Sequence, residues 1–130
     1  MITEVVTFKL PTGMIRDKLI ENYRQTAPKW CANPDLLRKN YLLDEDNGHG
    51  GGVYLWKTIE DAKKWHGEEF RKRVKELYGS DPEIRYFETP IVVDNVAEEI
   101  GSPLDADSVG LRVRGDVGNA TRPVAPQPHR

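Results

Sequence analysis

The sequence is poor in the residues that most often announce a function. Cys31 is the sole cysteine among 130 residues. No internal disulfide can form, which suits a reducing compartment and predicts a cytoplasmic protein. A cysteine nucleophile needs a neighbour that lowers its pKa, and none stands near Cys31 in the sequence. No apolar run approaches the ~18 residues of a membrane span, so no membrane partner is expected. MITEVVTFKL at the start lacks the charged, apolar and small-residue regions of a signal peptide. Basic and acidic residues nearly balance, 19 against 21. Without a basic stripe or an RNP-like motif, nucleic acid is not an expected partner. G-x-G-x-x-G, P-loop and G-x-S-x-G patterns are missing. No His, Cys and carboxylate set has metal-ligand spacing. Asp44, Asp46 and His49 share a turn, but a flexible turn without supporting hydrogen bonds is a poor metal site. No metal or other cofactor is therefore expected.

Aromatic residues also stop early. All lie between Phe8 and Phe87. A core forms where bulky apolar surface is available, so the packed domain is expected to span 1–97. The rest, 98–130, reads as an extended or disordered tail, its last thirty residues holding four prolines and four glycines. LRVR at 111–114 could add a short edge strand.

Within 1–97, ITEVVTFKL alternates Ile2, Val6, Phe8 and Leu10 against Thr3, Val5, Thr7 and Lys9, which predicts a strand. Thr12 is a candidate N-cap. Ile15, Leu19, Tyr23 and Ala27 then recur every fourth residue, predicting an amphipathic helix that Pro28 ends. Trp30 to Pro34 is expected as a loop. LLRKNYLLDE and GVYLW form a hairpin about the turn DNGHGGG, whose Asn-Gly is a strong turn signal. Thr58 opens a second helix with a capping-box pattern. Gly79 and Pro82 close it. EIRYFETPIVVDN reads as one last strand broken at Pro90. The order β-α-β-β-α-β predicts an α+β, ferredoxin-like fold with a four-stranded antiparallel sheet and two helices on one face. Strand 1 and GVYLW carry apolar groups on both faces. A second copy is the economical cover, which predicts a symmetric homodimer.

At 100° per residue, Ile59, Ala62, Phe70, Val74 and Leu77 form one stripe of the second helix. His66 falls near its middle, with Arg73 close by and Glu69 at the edge. A buried, unpaired His66 would cost about 1 to 3 kcal/mol. It is therefore either a core histidine bonded to Glu69, Tyr54 or a backbone carbonyl, or a base or ligand facing a pocket. Arg73 either joins it or snorkels to solvent. Lys39 shares a strand face with Leu37, Tyr41 and Leu43, and would hold an anionic group or lie at a dimer rim. Trp30 and Trp65 either line a pocket mouth or plug the core.

The stretch from Asn33 to Asn95 resembles the YdhR-like mono-oxygenases of the dimeric α+β barrel superfamily, alongside the antibiotic-biosynthesis mono-oxygenases. The resemblance extends over about positions 2 to 95. Its signals are Pro34, Leu36, Leu37 and Lys39, the GGVYLW strand, the helix with Trp65 and His66, and the YFE-x-P-x-VVD end. It implies a homodimeric, cofactor-independent mono-oxygenase that oxidises an aromatic or quinol-like small molecule with O₂. His66 would be the base. Tyr41 or Tyr54 would hydrogen-bond the developing anion, and Lys39 or Arg73 would stabilise it. Trp30, Trp56, Trp65 and Phe70 would stack the ring. A haem-binding branch of the superfamily offers an alternative, with Trp56 ending a strand and His66 as axial ligand, although Thr7 stands where that branch has an Asn. A third branch, of stress-response barrel dimers, implies ligand binding or assembly without catalysis.

Overall fold

The computed structural model describes residues 1–96 and the backbone of 99–101. The elements are β1 (Ile2–Lys9), α1 (Arg16–Cys31), β2 (Leu36–Asp44), β3 (His49–Trp56), α2 (Ile59–Trp65), α3 (Glu68–Tyr78), β4 (Glu83–Glu88), β5 (Val92–Asp94) and β6 (Glu99–Gly101). They fall into two compact units divided between Glu88 and Thr89.

In the first unit the strands form one antiparallel sheet in the order β2-β3-β1-β4. The register sets Val6 beside Gly52 on one side and beside Ile84 on the other. This is the ferredoxin-like arrangement that the element order predicts. Alternation along the strands sends Glu4, Val6 and Phe8 of β1, and Tyr54 and Trp56 of β3, toward the helices. Leu19 and Trp30 of α1, Ala62 of α2, and Val74 and Tyr78 of α3 close the core from above. Trp56 has no exposed surface. At ~25 cal/mol per Å² its burial contributes roughly 5 kcal/mol. Along the opposite face of the sheet, Val5, Val53 and Leu55 are half-buried. The second unit shows a short antiparallel ladder, with Val92 opposite Gly101 and Asp94 opposite Glu99.

The local expectations need several corrections. Ile15, extended and without a side-chain cap bond, precedes α1, so Thr12 is not its cap. Pro28 does not end that helix, which continues to Cys31. A proline forfeits only its own N–H, and its carbonyl still accepts from the Ala32 N–H at 3.1 Å. Trp30 therefore sits on a helical turn rather than in a loop, and is 7% exposed. The hairpin turn is confined to residues 45–48, and β3 starts at His49, so Gly50, Gly51 and Gly52 belong to the strand. The second helix is in fact two. Thr58 caps α2 by accepting from the Asp61 N–H at 3.1 Å, and His66 then leaves helical geometry at φ −117°, ψ 54°. The predicted stripe is only partly buried, because Leu77 is 56% exposed. Glu69 and Arg73 are exposed as well, so His66 is the one member of the polar line that enters the core. Past Pro90, Val92–Asp94 pairs with Glu99–Gly101 instead of lengthening β4. The LRVR strand and the tail beyond 101 lie outside the described residues.

Candidate active site

Between the sheet and the helices of the first unit lies a cleft of about 90 Å³. Its floor is set by glycine. At Gly52 a Cβ would stand 3.1 Å from the Tyr54 ring and 3.2 Å from the Lys39 stem. Gly51 lines the cleft beside it, and at Gly50, outside the lining, a Cβ would stand 2.6 Å from the Tyr23 hydroxyl. Bare backbone there leaves depth that any side chain would fill. Aromatic and aliphatic groups form the walls: Phe8, Trp30, Tyr54, Phe70, Val74 and Tyr78.

Lys39 projects into this cleft from β2, opposite Tyr54 in the register. Its Nζ lies 3.8 Å from the Tyr41 ring centre, 4.6 Å from that of Tyr54 and 4.7 Å from that of Trp30. Burial pushes its pKa down to about 7. Lys29 adds repulsion, while the Glu4 carboxylate pulls the other way. The neutral amine is therefore within reach near neutral pH. Tyr41 donates to the Thr26 hydroxyl at 2.6 Å, because that hydroxyl's single proton goes to the Tyr23 carbonyl at 3.0 Å. Tyr23 stacks on Tyr41 at 4.6 Å, donates to the Leu42 carbonyl at 2.8 Å and accepts from the Gly51 N–H at 3.0 Å. Burial raises the Tyr23 pKa to about 12 and lifts those of Tyr41 and Tyr54. These phenols therefore stay neutral and serve as donors.

Behind the wall stands a second, dry cluster. Glu4 has no exposed surface, and its carboxylate accepts from Trp56 Nε1 at 2.8 Å. It also bonds His66 Nδ1 at 2.7 and 2.8 Å. Trp30, Tyr54, Trp56 and Phe70 enclose the imidazole, with ring centres 5.3, 4.4, 5.8 and 4.1 Å away. His66 Nε2 is buried and has no hydrogen-bond partner. The break between α2 and α3 is what lets this ring drop to Glu4.

Of the residues picked out by sequence, Lys39, Tyr41, Arg73, Trp30, Tyr54 and Phe70 all line the cleft. His66 and Trp56 lie in the core layer behind it. Trp65 is half-buried against the edge of the core, outside the cleft lining, and donates to Asp35 at 3.0 Å. Sequence reasoning missed Glu4, Tyr23, Thr26 and Tyr78. An acidic residue on the same parity as Ile2, Val6 and Phe8 was the available signal for Glu4. Glycines inside a strand were the signal for the cleft floor. Among the described residues no cluster of potential metal ligands occurs, and no helix is long and apolar enough to cross a membrane.

No protein-family model matches the chain, and no curated protein matches it. Solved structures do. An antibiotic biosynthesis monooxygenase aligns at a TM-score of 0.51 and 16% identity, over 67% of this chain and 97% of that one. SnoaB, a cofactor-independent oxygenase from Streptomyces nogalater, aligns at 0.52 and 16%, over 71% and 95%. A MhuD variant with two manganese protoporphyrin IX molecules bound per active site aligns at 0.55 and 14%, over 72% and 99%. The first unit therefore has the ferredoxin-like α+β fold of the antibiotic biosynthesis monooxygenases.

Proposed function

We propose that the protein is a cofactor-independent mono-oxygenase that oxidises a small aromatic or quinol-like molecule with O₂ in the cleft between sheet and helices. One observation carries this reading. A lysine amine buried among the rings of Trp30, Tyr41 and Tyr54, where burial lowers its pKa to about 7, sits on an aromatic-lined cleft with no carboxylate among the described lining residues. The likeness to SnoaB supports it by fold. The finer placement among YdhR-like proteins rests on the sequence motifs alone. A cytoplasmic homodimer rests instead on the lone Cys31 and on the apolar outer face of the sheet, where Val5, Val53 and Leu55 would face a second copy.

The geometry favours Lys39 over His66 as the base. Lys39 lines the cleft, whereas His66 stands behind Tyr54 and Phe70. Neutral Lys39 takes the phenolic proton of the substrate. The resulting ammonium and the Tyr54 hydroxyl stabilise the anion, because the Tyr41 proton is already given to Thr26. The anion gives one electron to O₂. Superoxide and substrate radical then join in a C–O bond, and Lys39 returns its proton to the peroxide. Loss of the hydrogen on that carbon and cleavage of the O–O bond release water and a quinone. One substrate and one O₂ thus yield one quinone and one water. Glu4 and His66 act through the wall, where the carboxylate favours the charged form of Lys39.

The haem alternative has one observation in its favour. His66 presents an unpartnered Nε2 while Glu4 fixes its Nδ1, the arrangement of a ligating histidine. However, the rings of Tyr54 at 4.4 Å and Phe70 at 4.1 Å close over the imidazole. A porphyrin does not fit the site as folded, and no step is derived through one.

The test is oxidation under ¹⁸O₂ in buffer free of metal and flavin, with one- and two-ring phenols and hydroquinones as probes. Singly labelled quinone is expected, falling at least about tenfold in Lys39→Met, as for loss of a general base. Unlabelled product, or turnover only after flavin, metal or haem is added, would overturn the proposal.

A further inference from the structure

Three cations gather on the cleft. Lys39 stands inside it, and Lys29 and Arg73 line it from α1 and α3. Lys29 Nζ lies 5.3 Å from the Trp30 ring centre and Lys39 Nζ 4.7 Å from it, so one indole lies within reach of two ammonium groups. Their charges oppose each other. Lys29 disfavours the charged form of Lys39, and Arg73 does the same to Lys29. Elsewhere in the first unit surface cations find carboxylates, as Arg16 does in Glu45 at 3.1 Å and Lys64 in Asp35 at 3.3 Å. Among the described residues no carboxylate is within ion-pair distance of Lys29, Lys39 or Arg73. The described lining residues include no Asp or Glu, in a chain whose net charge is −2. A protein with acidic residues to spare thus keeps them away from one aromatic cleft.

Resting on the reading of this cleft as the oxidation site, we infer that its substrate is a small aromatic acid. The ring occupies the cleft, and the carboxylate is held at the mouth by Lys29 and Arg73. The cleft offers about 90 Å³, less than the roughly 150 Å³ of an apolar cavity that accepts a benzene ring, so even a single ring needs the mouth to widen. A single ring enters once the exposed Leu77 side chain turns aside. A fused polycycle would require the helices to part. The guanidinium can meet a carboxylate through two parallel hydrogen bonds, which a neutral amide cannot reproduce. The anion also relieves the repulsion between Lys29 and Arg73. The phenolic end of the same ring is then directed inward, toward Lys39.

Calorimetric titration with 4-hydroxybenzoate and its neutral isostere 4-hydroxybenzamide tests this without turnover. The acid is expected to bind at least about tenfold more tightly at low salt, as for a charge-assisted pair. The preference should shrink as salt screens the charges. Lys29→Gln combined with Arg73→Gln, two exposed positions, should erase the preference without lowering the unfolding temperature. Equal affinity for acid and amide, failure of both to bind, or a preference that survives in the double variant would overturn the inference. Acid-selective binding without any ¹⁸O incorporation would sink the oxygenase reading and leave the aromatic-acid site standing. Oxygenation of neutral phenols with no preference for acids would do the reverse.

Discussion

Replacing Glu4 with leucine removes the acceptor of two buried groups, the Trp56 indole N–H and the His66 Nδ1. Each orphan costs about 1–3 kcal/mol, so Glu4→Leu is expected to lose about 2–6 kcal/mol of stability. Replacing His66 instead leaves a carboxylate with no exposed surface and a single donor, Trp56. Breaking a buried pair from one side costs about 3–5 kcal/mol. Removing both partners abolishes the acid and the imidazole together. Only the Trp56 N–H is then stranded, at about 1–3 kcal/mol. The double variant should therefore be more stable than at least one of the single variants. The two losses should also miss additivity by about 2 kcal/mol or more. Equilibrium urea unfolding of the four proteins, compared at common m-values, gives the cycle. If a leucine variant does not fold, Glu4→Gln and His66→Gln supply a gentler version of the same cycle. Losses that simply add would show that Glu4 and His66 do not act as a unit.

Lys39→Met should stabilise the protein at neutral pH. The folded pKa, about 7, lies below the ordinary 10.5, so the unfolded chain binds more protons between those values. The penalty of the buried cation is full below about pH 7 and fades as pH rises toward 10.5. That gap corresponds to roughly 5 kcal/mol, and the three ring faces return about 0.5–1 kcal/mol each. A gain of about 2–4 kcal/mol at pH 7 that shrinks by pH 10 is expected in urea unfolding, and a pH-independent difference would count against it. Gly51→Ala should cost several kcal/mol or prevent folding, since its Cβ would lie against the Val6 carbonyl oxygen. Gly52→Ala meets the Tyr54 ring and the flexible Lys39 stem, with the Asn40 carbonyl oxygen at 3.4 Å, an ordinary contact, so thermal melts should move little while 4-hydroxybenzoate binding weakens. Tyr23→Phe strands the Leu42 carbonyl and the Gly51 N–H, and should lower stability by about 1–3 kcal/mol in the same melts.

The fold was legible because its signals are periodic and local. Alternation in ITEVVTFKL, the Asn-Gly turn and the Thr58 cap each reflect physics within a few residues of chain, and together they specify the strand order. The site was half legible. Lys39 and Tyr41 could be placed because strand alternation sends both to the face that Leu37 and Leu43 occupy. His66 could be placed in the core by helical phase, but not turned toward Glu4. That contact spans 62 positions and requires a break in the helix that periodicity assumes unbroken. Pro28 misled for the opposite reason. Its local penalty is real, but burial of Trp30 against Tyr54 and Trp56 lies beyond any local rule. The triple glycine looked like turn chemistry beside Asn47-Gly48. Its role as a strand that makes room appears only when Tyr23 and Lys39 are seen standing over it.

The central claim is that an amine in the cleft trades its proton near neutrality. Titration of Lys39 by NMR on protein carrying isotope-labelled lysine side chains, assigned by the Lys39→Met spectrum, measures that directly. A midpoint near 7 is the value the cleft predicts. A midpoint at the ordinary 10.5 would mean that Lys39 stays charged throughout and is no base.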